Sequence, residues 1–303
     1  MRSCVLHRSL ILAGALVLFG MISVEAQQRV ILFGVDGLSP QGIAEANTPN
    51  IHALIKSGSW SMHARAVMPT SSSSNWAAMI MGAPTELTGV TSNDWQPDSF
   101  SIAAACQDAP GVFPTIYSLE HLQHPAARIG IFTDWTDYVR LVEPGVATKV
   151  YSVDEKEDDA LNHALVYLES DKPDFLFLHL DHVDNAGHAH GWGSPEYLAA
   201  VEKTDAMLGR LLLTLDKLKL RGSTTILLTA DHGGIGRTHG GLSMSELEIP
   251  WVISGPGIRA NYKIETTIMQ YDTAATLARL LDVKPSPCWR SQAVNSAFIA
   301  AHE

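Results

Sequence analysis

Short, nearly continuous apolar runs alternate along the chain with longer segments in which apolar residues recur every three or four positions. Arg29–Val35 (RVILFGV), Phe175–Leu180 (FLFLHL) and Thr224–Thr229 (TTILLT) have the pattern of strands covered on both faces. Residues 127–132, 149–153 and 251–254 predict further strands. Thr48-Pro49 opens a helix through Ile51, Leu54 and Ile55, closed by Gly58. Residues 74–81 predict a second helix, and the acidic residues from Asp154 begin a third that runs to Leu168. Ser194-Pro195-Glu196 starts the longest, with Leu208, Leu211, Leu212 and Leu215 on one stripe, and residues 272–281 predict the last. This alternation predicts an α/β fold, a three-layer α/β/α sandwich with a mostly parallel central sheet. No repeat or linker interrupts it, so residues 27–303 are expected to form a single domain.

The first residues follow another pattern. Arg2 and Arg8 give a basic start, residues 10–22 are apolar and uncharged, and Val24-Glu25-Ala26 resembles a signal-peptidase site. The run is short for a membrane span, so a cleaved leader over residues 1–26 and a secreted or periplasmic protein are expected, with an uncleaved anchor as the alternative. No Cys follows the run, which argues against a lipid anchor.

Composition adds two constraints. Losing Arg2, Arg8 and Glu25 takes the formal net charge from −11 to −12. Such a surface repels nucleic-acid duplexes and anionic membranes, so a small substrate is the expected partner. A site for phosphate then needs local positive charge, and bound metal is the obvious source. Once Cys4 leaves with the leader, Cys106 and Cys288 remain; export allows a bridge between them, with two buried thiols as the alternative.

In open α/β sheets, sites gather beyond the carboxyl ends of the strands. Asp36 directly follows Arg29–Val35. Asp184 and His188 follow Phe175–Leu180 in D-H-V-D-N-A-G-H, Asp231 and His232 follow Thr224–Thr229 in T-A-D-H-G-G, and His239 comes soon after in T-H-G-G. One Asp after a strand is usually a turn or cap residue, and a lone His is usually structural. Three strand ends that each deliver a carboxylate, two of them with a nearby His, give the oxygen–nitrogen donor mix suited to zinc and similar ions.

The segment P-T-S-S-S-S-N-W at residues 69–76 places hydroxyls just before a helix. There the helix dipole and a metal both favour an alkoxide. The alternative is an N-cap with spare serines, and spacing does not choose among Ser71, Ser72, Ser73 and Ser74. His179 reads as a hydrogen-bonded core residue, and His163 as part of an ordinary helix face. His182 and His190 flank the D-N-A-G-H motif and are candidates for orienting its ligands. Glu202 and Asp205 read as solvated or capping charges.

Six motifs then occur in order: V-D-G, P-T-S-S-S-S-N-W-A-A-M-I-M-G, G-V-T-S-N-D-W, D-N-A-G-H, A-D-H-G-G and T-H-G-G. Together they resemble the nucleotide pyrophosphatase/phosphodiesterase branch of the alkaline phosphatase superfamily, over about residues 30–283. The resemblance implies an alkaline phosphatase-like fold and two divalent metal ions, zinc by preference, in one cleft. Asp36, Ser72, Asp231 and His232 would hold one, and Asp184, His188 and His239 the other. The family nucleophile stands three residues before the Asn of its motif, here Asn75, which selects Ser72. The same register keeps Gly82 and Gly89 in step and brings Asn93 to the position that contacts a phosphoryl oxygen. The implied chemistry is in-line hydrolysis of phosphodiesters or pyrophosphates through a phosphoseryl intermediate, with Asn93 and the Ser73 N–H on the equatorial oxygens. The family usually carries Thr as nucleophile; Ser72 offers the same hydroxyl.

Two departures bear on the substrate. Nucleotide-specific members have an aromatic residue just after the nucleophile. Here it is Ser73, which leaves Trp76 and Trp95 as candidate replacements, with a core role as the alternative for Trp76. The chain is also short, with only residues 97–112 and the surroundings of His239 available to cap a substrate, which suggests an open site. Other readings rank lower. A sulfatase needs a C/S-x-P-x-R pattern, absent around residues 71–74. Monoesterases of the superfamily place an Arg on the phosphate, and no Arg stands near Ser72 or Asn93 in sequence, which favours diesters. A phosphotransferase or mutase is weaker still, and a non-catalytic binding protein would have lost ligands or nucleophile, whereas all seven positions here are competent.

Overall fold

The computed structural model describes residue 1, residues 28–107 and residues 111–300. The expected leader therefore lies, beyond Met1, outside the described residues. The strands among them are β1 Arg29–Val35, β2 Ser59–Arg65, β3 Ile129–Thr133, β4 Lys149–Ser152, β5 Phe175–Leu180, β6 Thr224–Thr229, β7 Glu248–Ser254 and β8 Tyr262–Lys263. They form one sheet in the order β4-β3-β5-β1-β6-β7-β2-β8. The three apolar runs occupy its middle, and every residue of β5 and β6 is buried. β4, β3, β5, β1 and β6 are mutually parallel, so their carboxyl ends share one edge. The sheet grows from β1 to both sides, which makes that edge a topological switch point where a crevice opens.

One side of the sheet is not parallel. β7 runs against β6, and β2 runs against β7. The strand expected at residues 251–254 thus begins earlier, at Glu248, in the opposite direction to its neighbour. β2 is hidden from pattern reading because its buried positions, Ser59, Ser61 and Ala64, are small or polar and are separated by a bulge. Two helix starts also shift. The acidic segment becomes helical only at Glu157, and Ser72–Met81 begins two residues before the pattern suggests. That shift puts Ser72 and Ser73 in the first turn.

Helices cover both faces. Pro49–Ser57 and Glu157–Asp171 pack on the long helix Pro195–Lys217, while Ser72–Met81, Ile116–Gln123 and Asp272–Leu280 pack together. All ten residues of Ser72–Met81 are buried. It ends at Gly82 with φ +58, where a Cβ would meet the Trp289 ring at 2.6 Å, so the stop requires glycine.

Asp205 has a role between elements. Its Oδ1 accepts from the Ile51 N–H at 2.7 Å and its Oδ2 from the Asn50 N–H at 3.2 Å. It therefore caps the helix Pro49–Ser57, whose own N-cap Thr48 makes no side-chain cap bond. Glu202 beside it accepts from the Asn47 N–H. Cys106 and Cys288 are joined, with Cα atoms 6.2 Å apart across a separation of 182 residues. None of the described helices is long and apolar enough to cross a membrane.

Replacing both Cys106 and Cys288 with Ser is expected to lower stability by about 2–4 kcal/mol, because the bridge restricts a long loop of the unfolded chain. Urea unfolding tests this, and an unchanged midpoint would refute it. Asp205→Ala strands two buried N–H donors and should cost about 1–3 kcal/mol in thermal unfolding. A loss under about 0.5 kcal/mol would mean that the helix is capped by other groups.

Candidate metal centre

Each of the parallel strands β1, β3 and β5 is followed at once by an aspartate (Asp36, Asp134 and Asp181), and Asp231 comes two residues after β6. Asp184 joins them from the first turn of the helix His182–His190. The approach is allowed by Gly37, at φ +67, where a Cβ would lie 2.9 Å from the Asp184 Cα. Side-chain donors of Asp36, Asp231 and His232 lie within 4.8 Å of one another, as do those of Asp184, His188 and His239. Asp36, Asp181 and Asp184 form a third such group, so the first two are adjacent. The structure thus brings together all the carboxylates and imidazoles that the sequence nominated.

The three imidazoles share one arrangement. Nδ1 lies 2.8 Å from the Gly233 carbonyl oxygen in His232, 3.0 Å from that of Arg237 in His188, and 2.7 Å from that of Thr70 in His239. Each Nδ1–H therefore donates to the main chain and leaves the Nε2 lone pair free. Nε2 of His232 faces Asp231 Oδ2 at 3.1 Å and Asp36 Oδ1 at 3.4 Å. Nε2 of His188 lies 3.2 Å from Asp184 Oδ2, and Nε2 of His239 lies 3.8 Å from Asp184 Oδ1. The His232 and His239 rings stack at 3.7 Å, joining the two groups. Asp36 Oδ1, Asp184 Oδ1 and Asp231 Oδ2 are buried without a hydrogen-bond partner. Lone pairs aimed at partnerless carboxylate oxygens repel, and a divalent cation between them removes the conflict. By this test the donor set fits divalent metal ions.

The electrostatics agree except at His188, which its hydrogen bond with the Asp184 carboxylate raises to about 9. Burial pushes Asp231 well above the usual carboxylate range, helped by the charges of Asp36 and Asp184. Burial and the same neighbours raise Asp181 to about 8. Burial holds His232 below its ordinary value, in the neutral form that ligates metals. Asp36 is also desolvated, but His179 and His232 outweigh that and take it to about 2.

Of the four serines, only Ser72 lines the cavity of about 280 Å³ over the cluster, with Asn93, Trp135, Asp184, His188 and His239 among its other walls. Ser71 and Ser74 are hydrogen-bonded to each other. Ser72 Oγ is 3.3 Å from His232 Nε2 at the first turn of its helix. The Ser73 N–H already donates to Asn93 Oδ1 at 2.9 Å, so the Asn93 amide N–H₂ is the donor left on that side.

Several expectations are corrected. Trp76 and Trp95 are buried away from the cavity, and Trp76 Nε1 instead donates to Asp36 Oδ2 at 2.9 Å. Trp135 is the aromatic residue at the wall. No described residue of the segment 97–112 lines the cavity, whereas His239 does. Arg140 reaches the residue after Ser72, with Nη2 2.9 Å from Ser73 Oγ. The argument for diesters from a missing Arg therefore fails, because the Arg arrives from 67 residues away.

His179 is buried as expected, but it lies between Asp36 at 3.4 Å and Asp134 at 3.5 Å, where it supports the site. His182 bonds Thr204 and Ala200 and ties its helix to the long one, and His190 is exposed. Asp134 and Asp181 are the residues that sequence reasoning missed, although both stand directly after a strand, as Asp36 does.

Comparison with known proteins agrees with this geometry. Residues 30–239 match the type I phosphodiesterase/nucleotide pyrophosphatase family. Venom phosphodiesterase 2 of Crotalus adamanteus is 25% identical over 217 residues, 68% of this chain, and the chain spans 27% of that protein's length. Arylsulfatase K of Mus musculus is 33% identical over only 96 residues, 30% of this chain and 17% of that one. Murine ectonucleotide pyrophosphatase/phosphodiesterase 5, solved as an inactive form with AMP, superposes with a TM-score of 0.76 over 90% of this chain and 100% of its own, at 16% identity, a likeness of fold. With the match running from β1 to His239 and through both Asp/His groups, the chain belongs to the type I phosphodiesterase/nucleotide pyrophosphatase family.

Proposed function

We propose that the protein is an exported, two-metal hydrolase of small phosphoesters, diesters or pyrophosphates, with Ser72 as nucleophile. The observation that carries this reading is the pair of adjacent Asp/His groups whose free Nε2 atoms and partnerless carboxylate oxygens converge beside Ser72. Asp36, Asp231, His232 and Ser72 Oγ would hold one divalent ion, and Asp184, His188 and His239 the other. When bound, such ions lower the pKa of a hydroxyl and neutralise charge on the phosphoryl and leaving oxygens. Ser72 would attack phosphorus in line, forming the Ser72 Oγ–P bond as the bond to the leaving oxygen breaks. Water then attacks from the side the leaving group vacated, releasing phosphate or a phosphomonoester and restoring the Ser72 hydroxyl. The Asn93 amide would donate to an equatorial oxygen, and the N-terminus of Ser72–Met81 adds a favourable dipole.

Export is supported by the leader pattern and by the Cys106–Cys288 bridge, which suits an oxidising compartment. A sulfatase reading lacks support at the nucleophile, since Ser74 stands where the sulfatase pattern requires Pro.

Hydrolysis of bis-p-nitrophenyl phosphate by the purified protein tests the reading. Turnover should disappear on dialysis against a chelator and return with zinc, and Ser72→Ala should lower kcat by about 10³-fold or more. Turnover that survives metal removal would sink the two-metal reading. Trp76→Phe keeps an aromatic ring against Phe177 and His179 but removes the donor to Asp36, so zinc affinity in a chelator competition should fall about 10-fold. Unchanged affinity in a folded variant would mean that the bond does not orient the ligand.

A further inference from the structure

The fold does not support the two donor groups equally. Asp36, Asp231 and His232 are wholly buried, and Trp76 and His179 hold Asp36 from the core. The second group is assembled from more exposed pieces. Asp184 and His188 belong to the nine-residue helix His182–His190, and the His188 side chain is 44% exposed. His239 stands in a loop whose Gly236 and Gly240 have positive φ and open space where a Cβ would stand. Three such side chains reach one ion only if helix and loop are fixed against each other.

Trp192 is placed to fix them. The helix ends at Gly191, whose φ of +102 turns the chain so that the next side chain folds back on the helix it has left. A Cβ on Gly187 would sit 2.8 Å from the indole, and one on Gly234 would enter the ring, so both backbones lie directly against it. Gly187 precedes His188, and Gly234 follows His232 by two residues. The indole Nε1 donates to the Gly37 carbonyl at 2.9 Å, beside Asp36, and the Trp192 main-chain N–H donates to the Gly236 carbonyl at 2.8 Å. The carbonyl after that, of Arg237, accepts from His188 Nδ1. The indole also makes edge contacts with the His188 ring at 5.4 Å and the His239 ring at 6.2 Å. One residue thus meets all three segments that carry donors: the turn after β1, the helix His182–His190 and the loop after β6.

We propose that Trp192 is a positioning residue for the second ion, a wedge that holds the helix His182–His190 against residues 232–239 and so keeps Asp184, His188 and His239 together. The proposal rests on the two-metal reading and gives each ion a different dependence on the fold. Loss of the wedge loosens the more exposed donors of the second group, whereas the first group keeps its buried walls.

Stepwise zinc loading of the full chain in a chelator competition tests this, with His188→Ala and His232→Ala assigning the two binding steps and circular dichroism checking each fold. Trp192→Phe removes the Nε1 donor and shrinks the wedge. It should weaken zinc binding at the second group by about 10- to 100-fold and leave the first within about 3-fold of wild type. A merely structural role would lower the melting temperature without separating the two ions, so equal losses at both groups, or no loss at either, would overturn the proposal. Tyr197→Phe is the control. The Tyr197 hydroxyl donates to the same Gly37 carbonyl at 2.9 Å, and its other bonds go to Ser39. Both affinities should stay within about 3-fold there, and a selective loss would overturn the proposal by tracing the effect to Gly37. If Trp192→Phe does not fold, Gly187→Ala reaches the indole from the helix. Alanine suits a helix better than glycine, yet its Cβ displaces the ring, so the second affinity should fall with helix content retained. Unchanged affinity in that variant would overturn the proposal. A wild-type chain that binds fewer than two zinc ions would instead defeat the two-metal reading beneath it.

Discussion

Crowding of carboxylates at the ends of parallel strands is the constraint on which the rest of this structure depends. Asp36, Asp134, Asp184 and Asp231 are buried and Asp181 is half-buried, all within one small region of the switch-point edge. Burying a single unpaired charge costs several kcal/mol, and neighbouring like charges add to that. The protein's own cations relieve it only in part: His179, raised to about 9 between Asp36 and Asp134, answers two of the carboxylates, and His188, raised to about 9 by Asp184, answers a third. The imidazoles of His188, His232 and His239 give their Nδ1 protons to main-chain carbonyls and turn Nε2 towards the carboxylates. The chain therefore folds around a demand for external positive charge, and metal affinity and folding stability become one linked quantity.

The surrounding architecture makes that crowd tolerable and aims it. Three parallel strands deliver an Asp within one residue of the same level because β5, β1 and β3 pair in register, with Val35 opposite Leu180 and Thr133 opposite His179. Beneath the metal side, Trp76 and His179 approach Asp36 from the core and fix its rotamer. Above it, Ser72–Met81 presents its N-terminus, so the Ser72 hydroxyl sits where the helix dipole favours negative charge. Thr70 holds His239 through its carbonyl, while its Oγ1 accepts from the Gly240 N–H and donates to the Gly241 carbonyl, so the serine loop and the His239 loop are tied together.

Most of this was legible in the sequence, and the failures have physical causes. The three continuous apolar runs could only be central strands, and the residues just past them had to face the crevice, so Asp36, Asp231 and His232 followed from the pattern. Ser72 did not, since four serines offer the same hydroxyl, and only the registered resemblance chose among them. Asp134 and Asp181 obeyed the same strand-end rule but were passed over because no His or Gly motif surrounds them. β2 was invisible because its buried face is built from Ser59, Ser61 and Ala64. Trp76 and Trp95 were nominated for substrate because aromatic residues near a nucleophile invite it, yet the first is a core residue bonded to Asp36 and the second is buried.

Arg140 marks the limit of reading by proximity along the chain. Sequence distance says little about what a packed 3-10 helix can deliver, and the absence of a residue from a motif is not its absence from the site. The consequence concerns charge balance rather than one contact. Five of the residues lining the cavity are Asp or Glu, so any anionic ligand there needs added positive charge. The Asp/His groups provide the place for one such charge. A cation is already fixed nearby: the packed 3-10 helix holds the Arg140 guanidinium on Ser73 Oγ and on the Asn93 carbonyl, so a residue that no motif contains enters the charge balance beside Ser72.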